Sequence, residues 1–565
     1  MTMSWSIRGN MFIPATEKEM KERGWDSLDV ILVSGDAYVD SSYNGTAVIG
    51  HWLIENGFKV GIIPQPSLDN DDIERLGRPD LFWSVSGGCV DSMVANYTAT
   101  KKFRKDDDFT PGGANNRRPD RACIAYTNLI RKHFKNSFVA LGGIEASLRR
   151  VAHYDLWSDS VRRSVLFDAK ADVITYGMAE LSNLMLAQCI KNNKEWIDIP
   201  GICYASPIKR SGYTDIPSYE KCKEDRDDFI KAFNIFYRSN DRRSNGIVQK
   251  HGERFLVQNP PQRIDQETLD RIYGMDFENR VHPMHLKYGK VRAMDTIKQS
   301  ITTHRGCYGE CNFCAIAVHQ GRTVISRSED SIINEVERMT SAKGFNGIIY
   351  DVGGPTANMY GIECPKKIES GECKNKRCMF PKICDTLPVD HSPQIRLLDR
   401  IQNIEGIKKV FVSSGIRYDL VLADENGKDY IDKIVRDNVS GQLKIAPEHI
   451  SEEVLHLMGK PGRNVLLKFK EEFEDSNKKF GKDQYLTYYF MAAHPGCYEH
   501  HMEDLDKFIH SRLKTNPEQV QIFTPTPSTV STMMYYTRRD QDNTKDIKAE
   551  HSMQMKLKQK QILMK

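Results

Sequence analysis

THRGCYGECNFCAIAVHQGR, residues 303–322, places Cys307, Cys311 and Cys314 in one short loop that also contains Gly306 and Gly309. Three thiolates at that spacing can converge on one centre, and thiolate ligands select iron–sulfur clusters or zinc. A structural zinc ion closes its shell with four ligands, so zinc here requires a further partner: His304, His319 or a distant cysteine. A cubane cluster held by three cysteines instead leaves one iron open to an exogenous ligand. The loop follows a strand-like run, TIKQSITT (296–303), and five more runs come after it: GIIYD (347–351), KKVFVSS (408–414), QLKIA (442–446), YLTYYFMAA (485–493) and VQIFTP (520–525). Helical patterns separate them. Over 329–339, Ile332, Ile333, Val336 and Met339 share one face, Ser328 is the N-cap, and Glu329 and Asp330 occupy the first turn. Right-handed crossovers wind such a series into an open or partial barrel whose chemistry belongs to the loops after the strands.

Upstream, DVILVSG (29–35), KVGIIPQP (59–66), LFWSVSGG (81–88), SFVALGG (137–143) and ADVITYG (171–177) read as buried strands, with helices at 46–57 and 121–134 between them. That is an open, Rossmann-like α/β layer built on a parallel sheet. The segment from about 205 to 290 is polar, with NPP at 259–261, and reads as a connector carrying some helix. The expected organisation is an N-terminal α/β domain over 1–200, a connector over 201–294, a partial barrel over 295–535 and a polar, Lys-rich tail over 536–565, read as a surface helix or a frayed end.

Composition bounds the partners. Across 565 residues, 39% are hydrophobic and 28% charged, which excludes disordered and collagen-like classes. A net charge of +4 demands neither nucleic acid nor a membrane. The opening MTMSWSIRGNMFIP (1–14) lacks a basic segment followed by an apolar core, and nowhere do eighteen apolar residues run together. Thirteen cysteines without an export signal indicate a reducing compartment, so a soluble cytoplasmic protein is expected.

The order C-x-x-x-C-x-x-C, with Phe313 before the last cysteine, resembles the signature of the radical S-adenosylmethionine (SAM) superfamily. The resemblance implies a (β/α)6 partial barrel, a 4Fe-4S cluster on Cys307, Cys311 and Cys314, and SAM chelated to the open iron. It also implies reductive cleavage of SAM to a 5′-deoxyadenosyl radical that abstracts hydrogen from a substrate, with an electron donor such as a flavodoxin or ferredoxin as partner. In GGPTAN (353–358), Gly353 and Gly354 resemble the glycine-rich turn that meets the cofactor's amino group, with Pro355 where an acidic residue is usual; the other reading is a tight turn. KIAPEHISEEVLHLMGKPG (444–462), FMAAHPGCYEHHMEDL (490–505) and FTPTPSTVSTMMYY (523–536) resemble the fourth to sixth strand segments of related modifying enzymes, including RNA methylthiotransferases, which makes RNA a candidate substrate. Taken singly, Glu448 reads as a helix-entry carboxylate, His494 as a satisfied loop histidine and Arg417 as a surface cation.

DAYVDSSYNG (36–45) resembles the first loop of cobalamin-binding layers that precede such barrels, but the lower cobalt ligand of the D-x-H-x-x-G pattern is Ser42 here; the alternatives are cobalamin held without that ligand and, as the commoner case and the expectation, a layer that binds none. With GGIEASLRRVAHYDLWSDSVRRS (142–164), TYGMAE (175–180) and LVQNPP (256–261), these segments make nearly the whole chain similar to the YgiQ-type radical SAM proteins, whose members commonly continue past the position of Lys565. Glu145, Arg149, Arg150, His153, Tyr154, Asp155, Trp157 and Asp159 follow a strand end where open α/β sheets bind ligands, and read either as substrate contacts or as an ion-paired domain seam.

CPKKIESGECKNKRCMFPKIC (364–384) adds Cys364, Cys373, Cys378 and Cys384 in a polar stretch with little core of its own. A second metal, as zinc or an auxiliary cluster, would order it; unligated cysteines are the alternative. Cys123 and Cys189, in apolar helical contexts, read as core. The leading expectation is therefore a radical SAM enzyme, and the competing one a non-catalytic or RNA-binding zinc protein, which would lack the basic, aromatic-interleaved stripe usual for single-strand binding.

Overall fold

The computed structural model describes residues 12–241, 243–342, 344–373 and 376–564, so 1–11 of the opening stretch read for a leader lie outside the described residues. β1 (Val30–Ser34), β2 (Val60–Pro64), β3 (Phe82–Ser86), β4 (Val139–Gly142) and β5 (Val173–Thr175) lie parallel in the order β2-β1-β3-β4-β5. β1, β2 and β4 are buried along their whole length because helices cover both faces. Alternation along β1 assigns the faces: Val30 and Leu32 pack with Trp52, Leu53 and Leu186, whereas Ile31 and Val33 pack with Tyr126 and Ile130. Asn44 caps the helix Gly45–Glu55 by accepting from the Thr46 and Ala47 amides.

The stretch expected as a connector extends this sheet. β6 (Ile202–Ser206), β7 (Thr214–Ile216), β8 (Ile247–His251) and β9 (Arg254–Gln258) complete nine strands, in the order β7-β8-β9-β6-β5 at that edge. Two of them hold short apolar runs, ICYA over 202–205 and FLV over 255–257, but these stand in a segment that is otherwise polar. Its polar groups are instead used internally, as where Gln258 accepts from buried Arg150 at 2.9 Å. NPP follows β9 and ends it rather than interrupting an element.

The second half is an open barrel. β10 (Ser300–Thr302) pairs in parallel with β12 (Asp351–Gly353), and β11 (Ile348–Ile349) with β13 (Lys409–Val410). A parallel bridge from Ile416 to Ile445 carries the third strand position to β14 (Gln442–Glu448), followed by β15 (Tyr485–Ala492) and β16 (Gln519–Ile522). Six strand positions thus follow one another in chain order, and among the described residues no ladder joins β10 to β16. The α/β class and the sequence of layers expected above are those observed.

The end of the chain is neither frayed nor a loose surface helix. Helix Met553–Ile562 buries Lys556, whose Nζ donates to the Tyr535 hydroxyl at 2.9 Å, and Gln559, which accepts from the Ala493 amide at 2.9 Å just past β15. Two buried polar side chains that satisfy the barrel's own groups give the Lys-rich helix a docking face that its composition does not reveal. Among the described residues, no helix is long and apolar enough to cross a membrane.

Candidate functional site

The loop after β10 places Cys307, Cys311 and Cys314 half-buried, all with free thiols. Gly306 adopts φ +83°, and a Cβ there would meet the Thr323 carbonyl oxygen at 2.0 Å, so only glycine permits this turn. Donors are directed at the sulfurs. The Gly309 amide lies 3.4 Å from Cys307 Sγ, the Thr356 hydroxyl 3.7 Å from the same atom, and the Arg417 guanidinium 3.3 Å from Cys311 Sγ. Burial raises the Cys307 thiol and takes that of Cys314 to about 12, with Cys311 raising each further. The thiols are therefore close enough to oppose one another's ionisation, an opposition that a cation removes.

Arg417 is the main residue that sequence reading misplaced. It is 6% exposed rather than a surface cation, and it donates to Asp419 at 2.8 and 2.5 Å while facing the cysteine loop. Its signal was local: Arg417 and Asp419 follow the third strand position, where barrel chemistry is placed. Glu448, at the end of β14, takes φ +70°, a strained conformation for a side chain of that kind, and burial lifts its carboxyl to about 7. It does not cap the next helix. That helix, Glu452–Met458, has Ser451 at its N-cap without a side-chain cap bond, and His449 Nδ1 accepts from the Ile450 and Ser451 amides just ahead of it. His494 is a satisfied loop histidine, bonded to Ser531 at 2.7 Å and to the Pro495 carbonyl at 2.8 Å.

Gly353 and Gly354 stand at the end of β12, beside the cysteine loop. The Gly353 carbonyl accepts from the Thr303 amide at 2.7 Å, and a Cβ on Gly354 would meet the His304 ring at 2.6 Å. The second glycine is therefore required by a protein neighbour. His304 is fully buried, with Nε2 unpaired, and burial lowers it to about 3, so it is neutral.

The N-terminal sheet turns its carboxyl ends toward the barrel. At its switch point, between β1 and β3, a ligand crevice is expected; Asp36, Arg118 and Asp107 fill it with a buried ion network, Arg118 lying 2.7 Å from Asp36 and 3.1 Å from Asp107. From the loop that carries Ser42, the Tyr43 phenol reaches Thr302 on β10. The charges of the eight-residue cluster after β4 pair within the N-terminal half rather than across the domain seam, while Tyr154 reaches across to stack on Tyr536. Glu145 accepts from the Ser92 and Cys123 amides, Arg149 binds Asp91 and Asp155, and Arg150 lies between the Tyr176 and Phe236 rings. Arg305 of the barrel pairs with Glu180 at 2.6 Å, and Ser528 donates to the Leu148 carbonyl. Of the scattered cysteines, Cys123 is core, whereas Cys189 is only half-buried.

Comparison with known proteins places these observations. A Radical SAM N-terminal family model matches residues 12–300, and a Radical SAM superfamily model matches 301–509. The fold and the cysteine loop thus define a radical SAM protein. A UPF0313 protein of Fusobacterium nucleatum is 54% identical over 558 residues, covering 98% of both chains, and one of Thermotoga petrophila is 47% identical over 557, again covering 98% of both. The chain belongs to this UPF0313 family, the YgiQ family. The solved structure of OxsB, a cobalamin-dependent S-adenosylmethionine radical enzyme with aqua-cobalamin bound, shares the fold at a TM-score of 0.50 and 13% identity, over 91% of this chain and 56% of that one. Membership makes the chain an enzyme of the class that binds a 4Fe-4S cluster and SAM; it does not specify the substrate.

Proposed function

We propose that Cys307, Cys311 and Cys314 hold the 4Fe-4S cluster and that the turn at Gly353 and Gly354, with Glu448, receives the SAM bound to it. The carrying observation is the donor set on the sulfurs: three free thiols in one loop, met by an amide, a hydroxyl and a buried guanidinium. Such a set suits thiolates bearing the charge of an iron–sulfur cluster. When bound, the two cofactors supply reductive cleavage of the sulfonium to a 5′-deoxyadenosyl radical that abstracts hydrogen. The chain's own residues prepare the place. Arg417 balances thiolate charge while Asp419 fixes its guanidinium. Neutral His304, packed on Gly354, keeps the turn closed, and Glu448 offers a hydrogen-bonding carboxyl at the end of β14. Tyr43, the Glu180–Arg305 pair and the Ser528–Leu148 bond draw the N-terminal layer over the barrel mouth, which excludes water from a reactive carbon radical.

The partners in this reading are a one-electron reductant, such as a flavodoxin or ferredoxin, and a substrate enclosed at the domain seam. Cobalamin is left out, because Ser42 stands at the ligand position and the switch-point crevice is occupied by Asp36, Arg118 and Asp107. The test is anaerobic incubation of the reconstituted protein with SAM and dithionite. Methionine and 5′-deoxyadenosine should form in equal amounts and vanish in Cys311→Ser. A protein with a full cluster that leaves SAM intact would refute the proposal.

A further inference from the structure

The second cysteine group is used by nothing described so far. Segment 364–384 has one short helix, Pro365–Ser370, yet buries Cys364, Cys378 and Cys384 at 5%, 5% and 8% exposure. These three form a small separate apolar cluster with Tyr308, Val324, Met359, Ile362, Met379, Leu387 and Leu420, against which Cys307 of the first loop also packs. Buried free cysteines are ordinary core residues one at a time. Here four free cysteines, three buried and Cys373 half-buried, fall within 21 residues that also carry six basic side chains and only two acidic ones.

The placement of the cations is specific. Lys367 is 2% exposed and its Nζ reaches the Arg322 carbonyl at 2.7 Å and the Cys378 thiol. The Lys376 ammonium lies within electrostatic reach of Cys384, Asp385 and Cys373, and the Cys384 sulfur is 3.2 Å from the Thr386 hydroxyl. The thiols of Cys364 and Cys378 are within reach of each other, and the Cys384 amide donates to the Cys378 carbonyl at 2.8 Å. The cysteines thus fall in two pairs, Cys364 and Cys378 beside Lys367, which also faces Glu310 at 3.9 Å, and Cys373 and Cys384 beside Lys376, and the Cys384 amide joins one pair to the other. A cluster ligated by four thiolates carries net negative charge, which this surrounding offsets.

The segment is also stitched to the first loop. The Tyr308 hydroxyl accepts from the Cys364 amide at 2.9 Å, and Arg377 donates to Asn312 at 2.9 Å and to the Glu310 carbonyl. Among the described residues, no three His, Cys, Asp or Glu side chains surround a single-ion position, which holds for Cys307, Cys311 and Cys314 as well. The spacing C-x8-C-x4-C-x5-C over 364–384 as a whole matches no common zinc module. All four thiols are free rather than paired as disulfides.

We propose that Cys364, Cys373, Cys378 and Cys384 hold a second 4Fe-4S cluster, fully ligated by protein and adjacent to the SAM-binding loop. Its test is elemental analysis of anaerobically reconstituted protein, as wild type, as the triple variant Cys307→Ser/Cys311→Ser/Cys314→Ser, and as Cys378→Ser/Cys384→Ser. The expected contents are roughly eight iron atoms per chain in the wild type and about four in each variant. A triple variant without iron, or one that takes zinc in its place, overturns the proposal. Mössbauer spectra of the iron-57 wild type need no variant: SAM should perturb about one iron in eight, and a perturbation of about one in four denies the second cluster. Should the first loop hold no cluster, the triple variant and the wild type will contain the same iron, which separates that failure from failure of this inference.

Discussion

Replacing Arg417 by Gln tests whether the buried guanidinium sets the charge balance of the cysteine loop. At 3.3 Å from Cys311 Sγ, a unit positive charge attracts a thiolate by about 5 kcal/mol at an effective dielectric of about 20. Asp419, bonded to the same guanidinium, opposes this and stays in place in the single variant, so each added negative charge loses the full attraction of about 5 kcal/mol, whereas removing both charges leaves a net loss of about 2 kcal/mol. Since 100 mV corresponds to about 2.3 kcal/mol per charge, the reduction potential of the first cluster should fall by about 200 mV in the single variant and about 100 mV in the double one. The assay is a mediated redox titration of reconstituted protein followed by electron paramagnetic resonance. The double variant Arg417→Gln/Asp419→Asn is the control: with both charges gone, the potential should return part of the way, and the stability lost by stranding Asp419 should recover. A single variant that keeps its cluster and shifts by less than about 20 mV would show that Arg417 is only a structural neighbour.

Three further outcomes follow from the same geometry. Glu180→Gln breaks the buried pair with Arg305 across the domain seam and should cost about 3–5 kcal/mol, read as a lower urea midpoint, with Glu180→Gln/Arg305→Met recovering much of it. Gly354→Ala drives a methyl into the His304 ring; iron content should stay at the wild-type level while the SAM-induced change in the cluster spectrum is lost, and an unchanged response would remove Gly354 from the cofactor site. Burial holds His153 and His285 near 4 and His251 near 3, below the ordinary value of about 6.5. Between those values the unfolded chain binds the extra protons, so stability is full above about pH 6.5 and falls as pH drops, by about 2 kcal/mol per histidine at pH 5. Denaturant midpoints that stay level from pH 7.5 to 5 would contradict this.

The parallel core and the barrel strands were legible because buried parallel strands must be continuous apolar runs, and β1, β2 and β4 are. β6 to β9 were not, because their short apolar runs, such as Ile247 with Val248 and Leu256 with Val257, are set among polar residues in a segment that is polar as a whole. The C-terminal helix is one of the two readings of the Lys-rich tail, but its docked face is not legible, because Lys556 and Gln559 look like solvent-facing residues until Tyr535 and Ala493 are seen beside them. In the site, the three cysteines declared themselves by spacing within one loop. Arg417 is 106 positions from Cys311 in the chain, and only the third strand position brings it there. Gly354 was read as a cofactor turn, and the nearest reason for the glycine proved to be His304, four residues after the start of β10. The eight-residue cluster after β4 shows the reverse: its density of charge was visible, but only the partners Asp91, Arg121 and Gln258 show that the charges are used up inside the N-terminal half.

The most direct measurement is electron paramagnetic resonance of the anaerobically reduced protein with and without SAM. The account predicts a 4Fe-4S signal whose g-values shift when SAM is added, and which keeps only a SAM-insensitive component when Cys311 is replaced by Ser. A signal indifferent to SAM in the intact protein, at full iron and sulfide content, would contradict the open iron site on Cys307, Cys311 and Cys314.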